Sequence, residues 1–185
     1  GALFYVWAPY RFLDIYVRGA FPESFAFIFL PLIFLSANKL SKTFTKTWFT
    51  FGVLSISALI LSHNVMALIF LPIYLLYFAV LAGVHRKWRN FLPIIGSLLV
   101  SLLLTSYYWA PAFVEKSQVN LDKLNLLSSY QSNFVTLNQI IYSKWGWGEL
   151  GSGSPMSTQI GLTQLLVTFL APIFLLLVFT KRNTI

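Results

Sequence analysis

Arg11, Asp14, Arg18 and Glu23 stand close together near the amino end of a chain in which only 10% of residues are charged. Two arginines beside carboxylates suit phosphate chemistry. The planar guanidinium fork matches phosphate oxygens, and a neighbouring carboxylate can act as a base or hold a divalent metal ion. Arg11, Asp14 and Arg18 also follow a spacing that puts them on one helix face. With nothing bound, the same residues make an ordinary salt-bridge ladder that keeps an interfacial helix wetted.

Three weaker candidates lie further along. His63 and Asn64 form a short polar break between two apolar runs. Asn64 suits an N-cap, and His63 can bond a ligand or serve the turn alone. Glu115 and Lys116 follow Tyr107, Tyr108, Trp109 and Pro111. Such an aromatic girdle ending in a carboxylate can stack on a sugar, or can simply anchor a helix at an interface. Trp145 and Trp147, followed by Glu149, suit sugar faces and lipid surfaces equally.

Other chemistry is missing. The chain has no cysteine, so disulfides and thiolate ligands are excluded. It has no P-loop glycine pattern and no Gly-x-Ser-x-Gly elbow. The net charge of +8 suggests nucleic acid, but the surplus sits in short loops between apolar runs. No nucleic-acid partner is expected. A soluble domain carries about 25% charged residues, and 57% of this chain is hydrophobic.

These side chains must be positioned by membrane helices. A span needs about 20 apolar residues. Five segments approach that, over roughly 22–37, 47–62, 65–84, 91–109 and 159–180. The expected fold is all-α: a single polytopic transmembrane bundle over 1–185 with about five spans. Residues 1–21 form an outer interfacial helix, 22–109 hold four spans, 110–158 form an extracytoplasmic loop and 159–180 the fifth span. Lys39, Lys42, Lys46, Arg86, Lys87, Arg89, Lys181 and Arg182 fall on one side of these spans, with no acid among them. All five acids, Asp14, Glu23, Glu115, Asp122 and Glu149, fall on the other, offset by Arg11, Arg18, Lys116, Lys123 and Lys144. Basic loops stay cytoplasmic, so the acids face outward. Trp48 and Trp88 mark the inner interface and Trp109 the outer one. His63 and His85 then lie on opposite sides, so they cannot share a zinc ion. No charge sits at mid-span depth, which argues against an ion-coupled transporter.

The runs APYRFLDIYVRGAFPESFAFIFLPLIFL, LSHNVMALIFLPIYLLY, SYYWAPAFVEK and GSGSPMSTQIGLTQLL occur in this order. They resemble the bacterial membrane-protein family labelled "6-pyruvoyl-tetrahydropterin synthase-related". The soluble pterin synthase uses three zinc-binding histidines and this chain has two, so that activity is rejected. The family is similar to the GT-C glycosyltransferases, which take a sugar from a polyprenyl-phosphate donor at the outer membrane face. Their catalytic carboxylate usually lies in a first outer loop, and this chain is expected to be a fragment beginning after it.

The resemblance implies a bacterial inner-membrane protein whose extracytoplasmic face handles membrane lipid and a polyprenyl-phosphate sugar. Arg11 and Arg18 would hold the lipid phosphate, with His63 and Asn64 lining the same pocket. Asp14 or Glu23 would bind a divalent metal or orient an arginine, and Glu115 would serve as fallback base. Trp109, Trp145 and Trp147 would meet the sugar. Direct displacement with inversion is the expected mechanism. The competing expectation is a non-catalytic scaffold or lipid-binding component of a cell-envelope assembly.

Overall fold

The computed structural model describes residues 1–84, 88–118, 134–142 and 157–182. All regular structure among them is helical. The chain divides into two compact units, one of residues 1–20 with 122–185 and the other of residues 21–121.

The second unit is a bundle built on α3 (Phe21–Lys42), α4 (Lys46–Ser62), α5 (Asn64–Val84) and α6 (Leu92–Leu104). α3 and α4 are joined by residues 43–45 and α4 and α5 by His63 alone, so each pair turns back on itself. α4 is central and packs on α3, α5 and α6. Its N-terminus is capped by Thr45, whose Oγ1 accepts from the Trp48 amide at 3.3 Å. Small residues allow close approach. A Cβ added at Gly52 would lie 3.1 Å from Ser36 Oγ on α3 and 3.7 Å from Ser97 Cβ on α6. Ser101 Oγ on α6 lies 3.0 Å from the Val53 carbonyl of α4 and 2.7 Å from its own helix's Ser97 carbonyl.

Polarity in this unit is inverted relative to a water-soluble bundle. Ser36, Ser55, Ser57, Ser97, Ser101 and Thr105 are buried. Val65, Leu68, Ile69, Ile73, Leu76 and Val80 form one exposed apolar face of α5, with Leu68 76% exposed. Apolar packing supplies the rest of the core, including Ile33, Leu40, Ile56, Leu59 and Ile94. Phe34, Tyr74 and Phe78 add edge-on and tilted ring contacts between α3 and α5.

The expected span over 91–109 is broken. α6 ends at Leu104, and α7 (Ser106–Val114) leaves at 67°. Thr105 Oγ1 donates back to the Ser101 carbonyl at 2.8 Å, a local bond that competes with the helix ladder. Trp109 Nε1 donates to the Leu102 carbonyl at 3.0 Å, satisfying an acceptor at the end of α6.

Among the described residues one helix, Phe21–Lys42, is long and apolar enough to cross a membrane. A second qualifies if the bent pair Trp88–Leu104 and Ser106–Val114 forms one span, so one or two helices pass rather than about five. α4 falls short by length, with 17 residues spanning about 25 Å at 1.5 Å per residue.

The first unit starts with α1 (Ala2–Val6), α2 (Pro9–Phe12) and a wide π-helical turn at Leu13–Val17. Helix thus covers 2–6 and 9–17 of the segment 1–21, with a break at Trp7 and Ala8. Ala8 is extended and Pro9 restarts the helix, as proline does at a first helical position. Gly19, at φ 62°, ends the segment, and the Ala20 amide donates to the Asp14 carbonyl at 2.9 Å. α8 (Leu137–Ile141) opens on a capping box between Thr136 and Gln139. α9 (Leu162–Arg182) follows Gly161, at φ 104°, where any Cβ would run into Pro9 and Gln164. Gln164 Nε2 also donates to the Phe4 carbonyl at 3.0 Å, tying the start of α9 to α1.

Candidate functional site

The π-helical turn buries Leu13 and Asp14, and Asp14 is 0% exposed. A buried carboxylate needs a partner. Arg18 supplies one from a position four residues on, with Nη1 3.1 Å from Asp14 Oδ1. The same Nη1 donates to the Tyr10 hydroxyl at 2.8 Å. Arg18 is 34% exposed at its side chain while Asp14 and Tyr10 hold its Nη1. π-helical turns of this kind concentrate at functional sites.

Arg11 meets an aromatic ring. Its guanidinium carbon lies 5.3 Å from the centroid of the Tyr5 ring, a cation–π contact between α1 and α2. Partial desolvation pushes the Tyr5 phenol above its ordinary pKa, and the Arg11 charge opposes that shift. The tyrosines that hold both arginines were not legible as partners, because Tyr5 and Tyr10 sit at no helical spacing from them.

Glu23, His63, Asn64, Trp109 and Glu115 belong to the second unit. Glu23 is buried in the first turn of α3. His63 and Asn64 lie between α4 and α5, at the same end of this unit as Glu23. The expected N-cap assignment changes here. Asn64 is the first residue of α5 and its Oδ1 accepts from the Val65 amide at 2.9 Å. His63 does the capping: its Nδ1 accepts from the Met66 amide at 3.1 Å. Glu115 is exposed on the single 3₁₀ turn that follows α7. Trp109 uses its indole N–H on the backbone, so only its ring remains for a ligand.

Trp145, Trp147, Asp122 and Glu149 lie outside the described residues. Among the described residues no three of His, Cys, Asp and Glu come together to hold a metal ion.

No family model, curated protein or solved structure matches this chain.

Proposed function

We propose that this chain is an integral membrane protein of the GT-C glycosyltransferase kind, engaging the phosphate of a polyprenyl-phosphate sugar at its extracytoplasmic face. The inverted polarity of the second unit supports the membrane part. Serine hydroxyls inside and bulky apolar side chains outside suit a bundle solvated by lipid, where small residues make the helix contacts. About five spans would then come from helices packed at or just below the usual spanning length.

The observation that carries the phosphate reading is Arg18. Asp14 and Tyr10 hold its Nη1, and the side chain remains partly exposed. A guanidinium oriented before binding loses less freedom when an oxyanion arrives. In this reading Asp14 orients Arg18 and Arg11 adds a second cation.

The test is binding of polyprenyl-phosphate, with and without its sugar, to purified protein in lipid nanodiscs. Arg18→Ala should weaken binding at least about tenfold, the scale of one lost charge-assisted hydrogen bond. Arg18→Lys should recover only part of it, because the planar fork is gone. Unchanged binding in both variants removes Arg18 from the site. The rival is a non-catalytic envelope scaffold, favoured by the engagement of both arginines with groups of their own segment. Folded protein that binds neither lipid would select it.

A further inference from the structure

The end of the second unit opposite His63 carries cations from three elements. Lys39 and Lys42 lie in the last turn of α3, Lys46 opens α4, and Arg89 lies in the 3₁₀ turn Trp88–Phe91. That turn is fastened to α3: Asn90 Nδ2 donates to the Ser41 carbonyl at 2.6 Å. Trp88 lies over Gly83 of α5, where an added Cβ would meet its ring at 3.5 Å. The four cations are exposed, and none forms an ion pair among the described residues. Lys42 and Lys39 complement the negative end of α3, but Lys46 adds charge where α4 is already positive.

Aromatic rings are interleaved with these cations. Lys39 Nζ lies 5.7 Å from the centroid of the Trp48 ring, which packs edge-on against Phe51. Trp88 is 57% exposed and packs edge-on against Phe91. Indole rings favour the depth of lipid headgroups, and cations at that depth attract anionic ones. Resting on the membrane reading above, we infer that this rim is a binding site for an anionic phospholipid headgroup. Lys39, Lys42, Lys46 and Arg89 meet the phosphate charge, and Trp48 and Trp88 flank the glycerol and upper acyl chains.

The test uses the protein reconstituted in phosphatidylcholine nanodiscs containing brominated phosphatidylglycerol or, separately, brominated phosphatidylcholine. A variant retaining Trp48, with the other tryptophans replaced by Phe, reports contact by fluorescence quenching. The expected result is an apparent affinity for phosphatidylglycerol at least about fivefold above phosphatidylcholine, since one basic residue at a membrane surface contributes about that factor. The preference should vanish in Lys39→Gln/Lys42→Gln/Lys46→Gln and fall in high salt. Equal quenching by the two lipids in the parent overturns the site while leaving the membrane reading intact. Quenching by neither lipid overturns both. Thermal unfolding of the otherwise unaltered protein in detergent gives a second readout. Added phosphatidylglycerol should raise Tm in the parent and not in the triple variant, and an equal rise in both counts against the site.

Discussion

His63 shows how a residue type that invites a chemical role is used for structure. Its Nδ1 takes the Met66 amide, one of the donors that the start of α5 leaves open. Replacing it with Ala should cost about 1 kcal/mol of stability, and Asn should restore most of that. Denaturant unfolding in detergent measures both; equal loss in the two variants would deny the cap. Tyr74 makes the opposite case. It is 1% exposed, and among the described residues its hydroxyl makes no hydrogen bond of full geometry, with Ser97 of α6 its neighbouring side-chain hydroxyl. Tyr74→Phe removes a buried polar atom that costs about 1–3 kcal/mol when unsatisfied. The variant should therefore be as stable as the parent or more so, and a clear loss of Tm would reveal a partner for that oxygen. At this scale the sequence pointed to the Asp14–Arg18 pair, because a spacing of four residues is readable. It did not point to Tyr10, whose approach depends on the wide turn at Leu13–Val17.

Among the elements, α4 depends most on small side chains. Gly52 sits where α3 and α6 both come close, with Ser36 Oγ 3.1 Å from any added Cβ. Gly52→Ala asks only a slight shift of Ser36, whereas Gly52→Leu should cost about 1–3 kcal/mol or more by forcing the helices apart. Comparing the two by thermal unfolding checks that ordering, and a harmless leucine would contradict the packing described. The boundaries of α4 and α5 were legible from apolar run length and from the polar break at His63 and Asn64, whereas α3 continues to Lys42, past the expected end at 37. The bend after α6 was not legible. SYYWAP reads as a continuing amphipathic run, and the break follows from Thr105 and Trp109 bonding back to α6 carbonyls. The capping box of α8 was present in the sequence as Thr136-x-x-Gln139, a local signature that needs no tertiary information.

For the whole molecule, composition and charge placement indicated a helical protein with its basic residues gathered at one end, and the second unit bears out that gathering for Lys39, Lys42, Lys46 and Arg89. The number of spans was less legible, because an apolar run reports what a helix is made of and not how long it stays straight. The central claim is that the second unit lies in a membrane with its exposed apolar faces against lipid. The chain has no cysteine, so single cysteines can report position without background. The most direct measurement is labelling of Lys42→Cys, His63→Cys and Leu76→Cys by a membrane-impermeant maleimide, in intact cells and after lysis. The account predicts labelling of position 63 in intact cells, of position 42 only after lysis, and of position 76 in neither. Labelling of positions 42 and 63 from the same side, or of position 76 from water, would contradict it.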